Sequence, residues 1–171
     1  MTREQIVTVI FVIVCLTIIL YGIYSGARTR IDRYIPRNAD EAQIITLIRT
    51  FWKAKKEYDL ETYLVCLSDQ GKFMFGGGLT VSKKELKKLL PKFWSDLKTG
   101  NMLSLPSSRE SLNGNFFDGI LYDPVITLEG DNAKAAVTFV TPTIRWKTTM
   151  FLNFQKYQGA WLINRLEWAL G

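Results

Sequence analysis

Histidine is absent from the 171 residues, and cysteine occurs only twice. Without histidine the chain lacks the commonest general base and the commonest metal ligand. Ser–His and Cys–His catalysis and most zinc sites are thereby excluded. Cys15 lies in an apolar run and Cys66 in a predicted helix, so the pair does not promise an internal disulfide, and the redox compartment stays open. A phosphate loop is also missing: Gly76, Gly77 and Gly78 are not followed by Lys-Ser/Thr, nor do they join a strand to a helix. No DNA- or RNA-binding motif accompanies the basic residues, and no carboxylates recur at metal-ligand spacing. Neither a cofactor, a metal nor a nucleic acid is therefore expected.

What the chain does contain is ordinary globular composition, 47% hydrophobic and 22% charged. That rules out general disorder and suits one domain plus an appendage. The appendage is the N-terminal run "IVTVIFVIVCLTIILYGIY", Ile6 to Tyr24, which carries no charge. As a helix it would span about 28 Å, enough for a bilayer core. It is longer than the core of a signal peptide, and the residues before it are scarcely positive. Ser25-Gly26-Ala27 would nonetheless suit a signal peptidase. An uncleaved single-pass anchor over 1–24 is the favoured reading, with cleavage after Ala27 as the alternative.

Four arginines, Arg28, Arg30, Arg33 and Arg37, follow within 25–37. They make a basic linker suited to anionic headgroups. Sidedness is argued both ways. Lysine and arginine counts favour a cytoplasmic linker, whereas short N-terminal anchors ahead of soluble domains usually accompany export. The soluble domain is placed on the extracytoplasmic, periplasmic side, with the cytoplasmic side as the alternative.

The domain itself occupies 38–171. Asn38 with Glu41 resembles a capping box, and Ile44, Leu47, Ile48 and Phe51 follow at helical spacing, predicting a helix to about Tyr58. Arg49, Lys53 and Lys56 lie on its opposite face. Asp59 caps a short second helix that "SDQG" is expected to end, and "KFMF" reads as a strand. Ser82 and Glu85 form a second capping box, opening a helix in which Pro91 should produce a kink or a restart. From residue 120 the period becomes two, predicting strands over 120–128, 133–141, 144–157 and 160–168, with "EGDN" and "QG" as hairpin turns. Ile144, Trp146, Thr148, Met150, Leu152 and Phe154 share one face of the third. Arg145, Lys147, Asn153 and Gln155 share the other, so the sheet has one covered side.

Three helices and then antiparallel hairpins make an α+β architecture. The segments "DEAQIITLIRTFWKAKKEYDLETYLVCLSD", "GLTVSKKELKKLLPKFWSDL", "VITLEGDNAKAAVTF" and "GAWLINRLEW" together resemble the nuclear transport factor 2-like, or SnoaL-like, superfamily over about 38–171. The resemblance implies a cone in which three N-terminal helices cover a curved antiparallel sheet, with an open end that often holds a ligand. It also implies two classes of function. One is a non-catalytic binding or assembly module, pairing with itself or an envelope protein through the exposed sheet face. The other is an isomerase or dehydratase of the ketosteroid isomerase or SnoaL type, or a ligand sensor without turnover.

In the enzymatic class the chemistry would fall to carboxylates and tyrosines, since histidine is missing. The candidates are Asp118, Tyr122 and Asp123 around the first long strand, Trp146 as a pocket wall, and Arg165 with Glu167 on the last strand. By strict alternation Arg165 and Glu167 share a side with Trp161 and Ile163. The bland reading makes the aspartates turn residues, the Arg–Glu pair a surface ion pair, and the tryptophans simply core.

Overall fold

The computed structural model describes residues 29–75, 78–99, 117–141 and 147–169. A 3₁₀ turn at Ile31–Arg33 precedes helices α1 (Ala39–Glu57) and α2 (Leu60–Val65). Strands β1 (Leu67–Phe75) and β2 (Leu79–Ser82) come next, followed by α3 (Lys83–Thr99). The chain then forms β3 (Ile120–Glu129), β4 (Asn132–Val140), β5 (Lys147–Tyr157) and β6 (Ala160–Trp168). The strands make one curled sheet in the order β2-β1-β6-β5-β4-β3.

Two expectations change. The sheet is mixed, because β1 lies parallel to β6 while every other neighbouring pair is antiparallel. Only two helices precede it, since the third follows the β1–β2 hairpin. The predicted anchor over 1–24 lies outside the described residues. Among those described, no helix is long and apolar enough to cross a membrane.

The helix ends follow their sequence signals. Asn38 Oδ1 accepts the Glu41 amide at 2.8 Å, and Tyr58 closes α1 in the left-handed region. Asp59 caps α2 by accepting from the Thr62 amide at 3.1 Å. Ser82 and Glu85 bond reciprocally: Oε2 takes the Ser82 amide at 2.7 Å, and Ser82 Oγ accepts the Glu85 amide at 3.3 Å. Each such cap contributes about 1 kcal/mol. Pro91 does not break α3, which runs through it as one helix.

Both predicted hairpins form. Glu129 pairs with Asn132 and Tyr157 with Ala160, leaving two-residue turns. Gln158 and Gly159 both have positive φ, which matches the twist of the strands they join.

"SDQG" does not end α2 but continues into β1. The pairing of β1 with β6 slips there, from Leu67 opposite Ile163 to Lys72 opposite Arg165. Gly71 permits the slip: a Cβ would lie 2.3 Å from the Phe73 ring and 2.8 Å from the Asn164 carbonyl.

The core lies between the inner sheet face and the helices. Ile44, Ile48 and Phe51 of α1 and Leu86, Leu90 and Trp94 of α3 are buried with Phe139, Met150, Leu152, Phe154 and Ile163 from the sheet. Removing each large side chain from water stabilises the fold by about 2 kcal/mol.

Residues 29–37, part of the basic linker expected over 25–37, are docked on the domain. The Thr29 amide donates to Asp123 Oδ1 and the Asp123 amide to the Thr29 carbonyl, both at 2.8 Å. Arg30 bridges to Tyr122, and Ile31 is buried. Arg49 donates to the Ile31 carbonyl from Nε at 3.2 Å and Nη2 at 2.5 Å. Further along, Arg37 Nη2 donates to the Ile126 carbonyl at 2.8 Å. The segment is a strap between α1 and edge strand β3, covering part of an edge that would otherwise invite another chain.

Candidate functional site

The interior of the cone is built from rings. Trp52 of α1 packs on Phe139 of β4 with centroids 4.7 Å apart, and on Phe117 and Trp168 at 6.3 and 6.2 Å. Tyr58 and Tyr63 meet Trp94 edge-on, each at 5.6 Å. These are the separations of tilted and T-shaped aromatic pairs in contact.

Into this lining α1 delivers an amine. Lys55 is buried, with Nζ 4.5 Å from the Phe117 ring centre, 4.7 Å from Trp168 and 5.5 Å from Trp52. The ring faces attract the cation. Burial nevertheless lowers its pKa to about 7, and no carboxylate faces it among the described residues. A second donor is also buried: Trp94 Nε1 has no acceptor among the described residues.

At the other end of α1, Glu41 is fully buried. Arg37 Nη2 meets its Oε1 at 2.7 Å, the Arg37 amide donates to Oε2, and Tyr34 Oη donates to Oε1 at 3.0 Å. The Arg37 hydrogen bonds hold this carboxyl at about 2, against the opposing pull of burial. It is therefore an ionised structural anchor for the strap. Both buried charges lie on the core stripe of α1, since 41, 44, 48, 51 and 55 recur at helical spacing. That periodicity was the available signal for them. Sequence reading passed over Lys55 and took Glu41 only as a cap.

Among the described residues, the sequence-predicted ones do not converge. Asp118 is exposed and paired with Lys56 Nζ at 2.8 Å. Tyr122 is half-buried on the outer sheet face, opposite Thr138. Asp123 is exposed, with φ +51° in the irregular stretch of β3, and clamps the strap. Trp146 lies outside the described residues.

Arg165 and Glu167 are ion-paired on the outer face, Nη2 to Oε1 at 2.5 Å. They share no side with Trp161 and Ile163. Phe154 pairs with Ile163 but Asn153 with Arg165, so Asn164 is an extra residue in β6, and the alternation inverts after it. Of the linker arginines, Arg30 pairs with Asp32 at 3.3 Å, Arg37 with Glu41, and Arg33 is exposed. Arg28 lies outside the described residues.

On the outer face, Val125 of β3, Ala136 of β4 and Phe151 of β5 stand in one cross-strand row. Val125 is 66% exposed and Phe151 44%. Thr138 and Thr149 pair beside it, and Glu167 follows Phe151 across β6.

This arrangement can be set beside known proteins. No family model matches the chain. No curated protein matches it either. Solved structures do match. A Nostoc punctiforme protein of unknown function with a cystatin-like fold is 18% identical, with TM-score 0.55, covering 78% of this chain and 93% of that one. A nuclear transport factor 2-like protein from Cytophaga hutchinsonii is 14% identical, with TM-score 0.53 and coverages of 77% and 98%. The domain has a nuclear transport factor 2-like fold. A Shewanella frigidimarina protein provisionally named a ketosteroid isomerase is similar at 18% identity and TM-score 0.52, over 74% of this chain and 94% of that one. Identities this low speak to the nuclear transport factor 2-like fold and not to an activity.

Proposed function

We propose that the chain is a membrane-tethered, non-catalytic binding or assembly module. In this reading residues 6–24 anchor it as a single-pass helix, with the domain on the extracytoplasmic side. The outer sheet face takes a second copy of the chain or an envelope protein.

The observation that carries the reading is the Val125–Ala136–Phe151 row, an apolar strip that runs from edge strand β3 across β4 to β5 on the outer sheet face, with Val125 and Phe151 exposed. A contiguous exposed apolar patch with a polar surround is the kind of surface that a protein partner covers. The interior supports it by contrast. Its rings are in mutual contact, and the carboxylates that could have served as bases, Asp118 and Asp123, are exposed and engaged elsewhere.

The test is sedimentation of the purified protein together with cross-linking in membranes. Self-association or a discrete envelope partner is expected. Val125→Glu with Phe151→Glu should weaken it at least about thirty-fold, the loss typical of a central contact. A monomer that captures no partner in membranes would remove the ground for the proposal.

A second reading, a ligand sensor without turnover, has Lys55 and Trp94 in its favour. Both are buried donors with no acceptor among the described residues, and such donors normally find one. Thermal stabilisation by a small apolar carbonyl or carboxylate compound, lost in Lys55→Met and unaccompanied by product, would establish it.

A further inference from the structure

We propose that the face formed by the strap and the polar side of α1 rests on the bilayer and recognises anionic phospholipid headgroups. The inference rests on the reading of 6–24 as an anchor and adds to it an orientation and a lipid chemistry.

The first argument is reach. The apolar run ends at Tyr24, and the chain is fastened to the domain by Thr29 through its paired hydrogen bonds with Asp123. Five residue steps span no more than about 18 Å. A domain of this length has a radius of gyration of about 14 Å, hence a diameter of roughly 37 Å. The tether is shorter than half of that. An anchored domain therefore cannot turn its far side to the membrane, and the strap stays at the interface.

The second argument is what this face presents. Ile35, midway along the strap, is 85% exposed, with Arg33 exposed two residues before it. Beside the strap is a cleft of about 400 Å³ with Ile31, Trp52 and Leu121 as its apolar floor. Arg49, Lys53, Lys56 and Glu57 complete its lining.

The carboxylates on this face are Asp32 against Arg30 at 3.3 Å, Glu57 against Lys53 at 4.0 Å, Asp118 against Lys56 at 2.8 Å and Asp123, which accepts the Thr29 amide at 2.8 Å. Five cations (Arg30, Arg33, Arg49, Lys53, Lys56) against these four leave +1. Arg33 and Arg49 have no carboxylate partner among the described residues. A projecting aliphatic side chain among unneutralised guanidinium groups fits the headgroup zone, where the apolar tip enters the acyl boundary and the cations meet phosphate.

The experiment uses the full chain in lipid nanodiscs, in a Cys15→Ser background, Cys66 being buried. A fluorophore is placed at Ile35→Cys or at Leu89→Cys, and doxyl-labelled lipid serves as the quencher. Leu89 is the control because α3 packs on β1 and β2, at the sheet edge opposite β3. Quenching at position 35 should exceed that at 89 several-fold, and more so with phosphatidylglycerol than with phosphatidylcholine alone. Arg33→Glu with Lys53→Glu should abolish the phosphatidylglycerol increment and leave the phosphatidylcholine signal.

Equal quenching at the two positions in an incorporated chain would overturn the orientation while leaving the anchor intact. A chain that fails to enter the discs would overturn the anchor and the orientation together. Insensitivity to phosphatidylglycerol or to the charge reversals would overturn the headgroup recognition.

Discussion

Replacing Lys55 with methionine keeps a flexible four-atom side chain among Trp52, Phe117 and Trp168 while deleting the buried amine. In the folded protein burial lowers the amine to about 7, and in the unfolded chain it returns to its ordinary 10.5. Between those values the unfolded state binds the extra proton, so wild-type stability rises with pH. Below pH 7 both states are protonated and the full penalty is present. Above about 10.5 both are neutral and it vanishes. Integrated from pH 7 to pH 8.5, the penalty falls by about 1.5 kcal/mol.

Methionine carries no such penalty. The variant should therefore be the more stable protein at pH 7, and its advantage should shrink by that amount at pH 8.5. Urea titrations followed by tryptophan fluorescence at the two pH values would read the difference. The window stops at 8.5 for a reason. Burial also raises the Cys66 thiol to about 11 and raises the Tyr63 hydroxyl, and both oppose stability once their unfolded forms ionise. A stability difference independent of pH between 7 and 8.5 would refute the placement of the amine in the aromatic interior. A variant less stable than wild type at pH 7 would show that ring–cation attraction outweighs desolvation.

Two further substitutions probe the frame around it. Glu41→Gln leaves Arg37 without its buried carboxylate and should cost about 2–3 kcal/mol in urea titration at neutral pH. Because the folded Glu41 pKa is depressed to about 2, its contribution is complete above the unfolded value near 4.5. It is lost as the pH falls through 2, so the wild-type advantage should fade in acid. Gly119→Ala would put a Cβ 1.9 Å from the Phe139 ring and 2.7 Å from the Val140 carbonyl. Because that ring is buried against Trp52, overpacking of about 1–3 kcal/mol is expected as a lowered unfolding midpoint. An unchanged midpoint would mean that β3 and β4 yield at this corner without cost.

The elements written in local chemistry are legible in the sequence. Asn38, Asp59 and the Ser82–Glu85 pair cap their helices because an oxygen two or three residues ahead of an orphan amide needs no tertiary help. "EGDN" and "QG" close hairpins because their backbone preferences match the twist of the flanking strands. Alternation on β5 separated buried Thr148, Met150, Leu152 and Phe154 from outward Lys147 and Phe151.

The candidate site was less legible, because it depends on where counting fails. One extra residue at Asn164 turned Arg165 and Glu167 away from Trp161 and Ile163. Such a bulge arises from how β6 pairs with β5, which β6 alone does not record. Asp123 read as a turn aspartate or a base, but it serves as the clasp of a strap ninety-four residues away in sequence.

By itself, then, the sequence determined the helix caps, the tight hairpins, the two-sided sheet and the uncharged run from Ile6 to Tyr24, all properties of neighbours along the chain. Tertiary structure decided which charges are buried, which face each β6 side chain takes, and whether residues 29–37 hang free or lie against β3. The difference is physical. Caps and turns are satisfied within a few residues, whereas the burial of Lys55 and Glu41 and the docking of Thr29 on Asp123 require surfaces that only distant segments supply.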